Sequence, residues 1–191
     1  MEQDLTTGSV FKRIVYFSLP YLLSYFLQTL YGMADLFITG QFYGVDTITA
    51  VSNGSQIMHM MTVIIVGLAM GTVTIGHSVG AKCMEQAEKI IGNTITLFMG
   101  IAVAFTVILV VLVKPIVVLI ATPQEAVAGT SIYLLICFIG IPFITAYNII
   151  SSIFRGLGDS KSPMYFIGIA CVMNIALDYL FMGAFHMGAA G

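Results

Sequence analysis

Five stretches of this chain are each apolar and long enough to cross a lipid bilayer as a helix, which leaves few folds open to it. A hydrocarbon core about 30 Å thick takes roughly 20 helical residues. The stretches cover about residues 14–40, 48–76, 90–113, 126–154 and 163–183. They are continuous rather than alternating, and each exceeds the ~10 residues of a barrel strand, so helices are predicted and not a barrel. Composition agrees. Of 191 residues, 59% are hydrophobic and 8% charged, against about 25% charged in soluble domains. Lipid must be the solvent for much of the surface.

The predicted connections are short: Gln41 to Thr47, His77 to Lys89, Lys114 to Glu125 and Arg155 to Ser162. Short loops favour antiparallel neighbours in one bundle. Ser162 followed by Pro163 suits a helix start, with Ser as cap and Pro in the first position. An inside N-terminus puts Lys12, Arg13, Lys82, Lys89, Arg155 and Lys161 on the cytoplasmic side and leaves Lys114 outside, a positive-inside bias. The N-terminus does not read as a signal peptide, since Glu2 and Asp4 precede an apolar run too long for an h-region. The tail, His186-Met-Gly-Ala-Ala-Gly191, reads like the approach to a further apolar helix, so an incomplete protein is expected. A net charge of -2 argues against nucleic acid as partner. Cys83, Cys137 and Cys171 have no metal-site spacing and read as small packing residues. No phosphate loop, zinc spacing or nucleophile motif stands out, so an enzyme is not expected.

Candidate chemistry lies in the acidic residues. Seven of the nine fall in tails or loops, whereas Asp35 and Asp178 lie in the outer halves of the first and fifth stretches. A carboxylate at mid-helix costs about 2.5 to 3.5 kcal/mol on the insertion scale. It survives by facing the bundle interior, finding partners or taking up a proton. Two at matched depth can hold a proton or a small cation such as Na+. Gln28, Tyr31, Asp35 and Thr39 recur at helical spacing as one polar stripe, which lipid would not tolerate. Asn174 and Asp178 are four residues apart and share a face. Pro20 and Pro142 each remove a helical hydrogen bond and can kink their helices. Asn53, Gln56 and Asn148, with Tyr133 and His59, either line a wet cavity or bond between helices. Gly67, Gly71, Gly76 and Gly80 read as close helix contacts.

These residues resemble the N-terminal lobe of the multidrug and toxic compound extrusion (MATE) family, in its DNA-damage-inducible-protein-F-like bacterial branch. The likeness runs over nearly the whole chain. It rests on Pro20, Asp35 and the Gly40 to Gly44 turn, on Asp46-Thr-Ile-Thr-Ala-Val-Ser52, and on Gly67-Leu-Ala-Met-Gly71 with Gly80-Ala-Lys82. Arg155-Gly-Leu-Gly-Asp-Ser-Lys-Ser-Pro163 and the Asn174–Asp178 pair complete it. The resemblance implies an all-α integral membrane fold, with five transmembrane helices of a six-helix N-lobe. That lobe is half of a two-lobe, twelve-helix transporter that expels amphipathic or cationic drugs from the cell in exchange for H+ or Na+. It further implies a cation site at Asp35, Tyr133, Asn174 and Asp178, and helix bending at Pro20. No cofactor other than the coupling ion is implied, and transport would need the sixth helix and the C-terminal lobe. A lipid-linked oligosaccharide flippase of the same superfamily is the alternative, though it would want basic residues in the membrane where this chain has acidic ones. A transport-silent membrane fragment and a membrane enzyme are the others.

Overall fold

The computed structural model describes residues 9–68 and 71–191, with the surroundings of side chains 65–73 left aside; Gly67 and Gly71 therefore lie outside the described contacts. All regular structure among the described residues is helical. The elements are α1 (Val10–Phe42), α2 (Val45–Leu68), α3 (Gly71–Gly80), α4 (Met84–Leu119), α5 (Val127–Ile139), α6 (Ile141–Gly156) and α7 (Lys161–Asp178). A π-helical turn, Tyr179–Ala184, continues α7, and a 3-10 turn, Gly188–Ala190, follows.

The helices overrun the apolar stretches that predict them, and the loops shrink accordingly. The predicted 90–113 stretch becomes the 36-residue α4, about 54 Å long at a rise of 1.5 Å per residue and well beyond a ~30 Å core. Lys114 lies inside α4 rather than in a loop. The reason is that a helix satisfies its own backbone in water as well as in lipid, so the hydropathy boundary is not the helix boundary. The connection predicted over 77–89 narrows to Ala81–Cys83, where Lys82 takes a left-handed φ of 58°. The predicted cap before α7 is also displaced. Helix α7 begins at Lys161, Ser160 occupies the cap position without a side-chain bond, and Pro163 lies in the first turn rather than at its start. Asp159 does the capping instead. Its Oδ1 accepts from the backbone N–H of Lys161 at 2.9 Å and of Ser162 at 3.1 Å, and its Oδ2 accepts from the Ser162 hydroxyl at 2.6 Å.

The predicted 126–154 stretch is two helices, α5 and α6, bent by 48° at Gly140. Pro142 stands at the start of α6, where its missing N–H costs least. The proline in α1 lies inside an unbroken helix, and Ser24 Oγ donates to the Pro20 carbonyl at 2.9 Å. By length and composition α4 and Lys161–Ala184 each suffice to cross a membrane, and α5 with α6 suffice together.

Packing pairs helices that are distant in sequence. Helix α1 makes its largest contact with α7, α2 with α5, and α4 with α6. The α1–α7 pair runs parallel. Tyr16 near the start of α1 meets Lys161 at the start of α7, while Phe42 and Tyr43 at its end meet Tyr179 and Met182. The main core lies where α2, α4, α5 and α6 converge on Met58, Leu109, Leu134, Phe138 and Ile141. A second cluster, Ile38, Val51 and Met182, joins α1, α2 and the π turn. Large apolar side chains cover outer faces too, among them Leu22, Phe26, Met33 and Phe37 on α1 and Val103, Val107, Val111 and Val118 on α4. A patch of that extent is foreign to a soluble monomer.

Candidate functional site

The parallel α1–α7 contact brings Asp35 and Asp178 into one region of the bundle. Asp35 is half-buried and Asp178 buried, and each lies within electrostatic reach of the other. Asn174, one turn earlier on α7, donates from Nδ2 to Asp178 Oδ1 at 3.5 Å. The remaining oxygens of this pair, Asn174 Oδ1 and Asp178 Oδ2, are buried without a hydrogen-bond partner. Buried acceptors left unpaired cost about 1–3 kcal/mol each, so the arrangement stores a demand for a donor or a cation. Oxygen donors of this type suit a proton or a hard cation. Among the described residues no group of three or more His, Cys, Asp or Glu side chains gathers to hold a metal ion, so such an ion would rely on the amide oxygen as well as the carboxylates.

Asp178 ends α7, and the π turn starts with the next residue. A π turn has a wider backbone ring and is often found at functional sites. Thr39 of α1 and Tyr43, the residue that caps its end, brace it. Thr39, fully buried, donates to the Asp35 carbonyl at 2.8 Å and toward Met182 Sδ at 3.5 Å. Tyr43 Oη donates to the Met182 carbonyl at 3.1 Å and accepts from the Gly188 N–H at 2.9 Å. Thr39 is thus packed into the α1–π contact rather than open to a cavity.

Tyr133, on α5, faces the same region and lies within reach of the Asp35 charge, as does Cys137 one turn on. Its hydroxyl shares a 2.9 Å hydrogen bond with Ser55 on α2. Its ring lies against Gly54, where an added Cβ would overlap it, at 2.7 Å from Cε1 and 3.1 Å from Cγ. Gly54 and Ser55 therefore set the Tyr133 position, and sequence reasoning missed both. Ser55 carries a signal, since it stands between the polar residues Asn53 and Gln56; nothing in the sequence marks Gly54.

The other sequence-predicted residues are more scattered. Tyr31 is within reach of Asp35, and Gln28 is half-buried on the same stripe. Asn53 is half-buried, whereas Gln56 and His59 are exposed. Asn148 Nδ2 bonds the Ile144 carbonyl of its own helix at 2.8 Å. Pro20 is buried, fifteen residues before Asp35 on α1. Gly76 approaches Gly156, its added Cβ lying 3.7 Å from that carbonyl, while Gly80 faces open space.

The family model MatE matches residues 20–180, most of the chain, with Asp35, Tyr133, Asn174 and Asp178 among them. The chain belongs to the MatE family. Among curated MatE relatives it is 34% identical over 98% of its length to the "Probable multidrug resistance protein YpnP" of Bacillus subtilis, covering 42% of that protein. It is 26% identical over 95% of its length to the "Multidrug export protein MepA" of Staphylococcus aureus, covering 41%. A solved MOP superfamily transporter from Pyrococcus furiosus superposes with a TM-score of 0.89 at 25% identity, over 98% of this chain and 41% of that one. A MATE structure in the bent conformation matches at 0.86 and 26% identity, over 96% of this chain and 41% of the other. The chain thus spans about two fifths of the length of the MatE relatives it matches, the share expected of most of one lobe.

Proposed function

We propose that this chain is the N-terminal lobe of a cation-coupled exporter that moves amphipathic or cationic drugs out of the cell in exchange for H+ or Na+. The observation that carries the reading is the pair of buried, unpartnered oxygens on Asn174 and Asp178 within reach of the Asp35 charge. The names of the relatives, multidrug resistance and multidrug export proteins, support the drug as cargo. In this reading Asp35 and Asp178 hold the cation, Asn174 orients Asp178, and Tyr133 closes the α5 side. The chain lies in the cell membrane as five spans, with its N-terminus in the cytoplasm, and a sixth helix and second lobe complete the transporter.

Exchange requires the cation-bound and drug-bound forms to differ in their preference for inward and outward states. Neutralising the carboxylates changes the polarity of the α1–α7 contact, and α1 carries Pro20 as a ready point of bending. The test is ethidium efflux by the complete transporter with and without Na+, at several pH values. Asp35→Asn is expected to abolish cation-dependent efflux while the protein remains in the membrane. Normal efflux by Asp35→Asn refutes the mechanism.

A further inference from the structure

The starts of α1 and α7 carry exposed cations that the site above does not use. Lys161 opens α7. Its Nζ donates to the Tyr16 hydroxyl of α1, and the ammonium sits over the Tyr16 ring, 4.8 Å from its centroid. An ammonium has three donors, so Tyr16 fixes Lys161 in place and uses one of them. Lys12 stands one turn before Tyr16 on the same face of α1 and is exposed. Arg13 and, at the end of α6, Arg155 add two more cations to this end of the bundle. Among the described residues Asp159 is the one carboxylate there, and both its oxygens are engaged in capping α7. The charge balance at this end is positive.

An apolar ladder runs from each lysine along its helix. Lys12 leads through Tyr16 and Leu19 to Leu23, and Lys161 through Tyr165 and Ile169 to Val172. These positions recur at helical spacing, and all are exposed. In both ladders the lysine and the last aliphatic residue are eleven positions apart, about 16 Å at 1.5 Å per residue. That is the depth of one leaflet of a ~30 Å core. The Tyr16–Lys161 contact sets the two starts side by side, so both cations lie at the same end. Fixed positive charge above one leaflet's depth of apolar surface matches the polarity of an acidic phospholipid. We propose that the α1–α7 seam seats an anionic phospholipid of the cytoplasmic leaflet, its phosphate held by Lys12 and Lys161 and its chains along the two ladders. Tyr16 and Tyr165 then stand at headgroup level, where tyrosines gather in membrane proteins. Because Tyr16 already holds the Lys161 ammonium, little side-chain freedom is lost on binding. The choice of leaflet rests on the cytoplasmic N-terminus proposed above; the site itself needs only the membrane-spanning fold.

The experiment titrates the complete transporter, in neutral detergent, with phosphatidylglycerol or phosphatidylcholine of the same chain length and counts bound lipid by native mass spectrometry. Phosphatidylglycerol is expected to be retained at lower concentration than phosphatidylcholine. Lys12→Gln and Lys161→Gln should each weaken its binding roughly fivefold, the share of one lysine beside an anionic lipid, and leave phosphatidylcholine unchanged. Lys89→Gln is the control, since it removes an exposed lysine that pairs with Glu85 on α4; it should bind as the unaltered protein does. Glycerol 1-phosphate, which has the charge without the chains, should not displace the lipid. With every variant monodisperse by gel filtration, equal retention of the two lipids overturns the proposal, as do equal losses from all three lysine variants. Displacement by glycerol 1-phosphate overturns the role of the ladders. An unaltered transporter that retains no anionic lipid overturns the site altogether and shows that another part of the complete protein covers this face. Drug efflux is not the readout, so failure here leaves the exporter reading standing.

Discussion

Replacing Gly54 by alanine is the sharpest probe of how Tyr133 is placed. The new methyl group would overlap the ring, at 2.7 Å from Cε1 and 3.1 Å from Cγ. Restoring an ordinary carbon–carbon contact of about 3.5 Å forces the ring to move by on the order of an ångström. The atoms involved belong to the body of the ring, close to its own backbone, so rotating a flexible tip does not relieve the overlap. Overpacking of this kind costs about 1–3 kcal/mol. The 2.9 Å bond between Tyr133 Oη and Ser55 Oγ does not survive such a shift, which adds about 1 kcal/mol. The expected result for the complete protein in detergent is a loss of roughly 2–4 kcal/mol in thermal stability, together with weaker cation-dependent efflux. Tyr133→Phe, which loses the bond without the overlap, should lose only about 1 kcal/mol. In a Tyr133→Ala background the Gly54→Ala change should be nearly neutral, because the clashing ring is gone; contacting residues couple in this way. If Gly54→Ala is equally destabilising with and without the Tyr133 ring, the steric account is wrong.

Two further outcomes test the supports around the acids. Tyr43→Phe removes the donor to the Met182 carbonyl and the acceptor for the Gly188 N–H, so it should cost about 1–3 kcal/mol and speed hydrogen exchange at the Gly188 amide, with unchanged exchange there counting against the brace. Asp159→Ala should cost about 1 kcal/mol as a lost helix cap. Its pH dependence has a definite sign. Burial alone would raise the Asp159 carboxyl, but hydrogen bonds from the Ser162 hydroxyl and from the Ser162 and Lys161 N–H groups outweigh it and hold the group below its ordinary 3.8. The cap therefore contributes fully above pH 3.8 and is lost as pH falls through the lower folded value. Thermal unfolding of unaltered and Asp159→Ala protein should differ at pH 7 and converge toward pH 2; a constant gap would show that the charge is not what caps the helix.

Much of the candidate site is legible in the sequence because a polar side chain in an apolar run is conspicuous in one dimension. Asp35, Asn174 and Asp178 stand out for that reason, and the Gln28–Tyr31–Asp35–Thr39 stripe follows from helical period alone. The stripe did not reveal that Thr39 is consumed in packing against Met182, or that Asn148 turns back on its own helix. Both are short-range choices of rotamer and neighbour that spacing does not encode. Short loops suggested antiparallel neighbours, yet the contacts that build the site are between parallel helices, α1 with α7 and α2 with α5. Chain connectivity cannot show such pairs, because the partners are far apart in sequence, 78 residues for Ser55 and Tyr133 and 145 for Tyr16 and Lys161.

The linear order of residues by itself determined the solvent, the helical class and the identity of the costly carboxylates, since each follows from local hydropathy and the energy of burying charge. Folding in three dimensions decided that Asp35 and Asp178 come within electrostatic reach of each other, that the backbone widens into a π turn just after Asp178, and that Tyr133 rests on Gly54. The physical reason is that register between distant helices is set by how their side chains interlock. That interlocking depends on every surface meeting at once, not on any one stretch of chain.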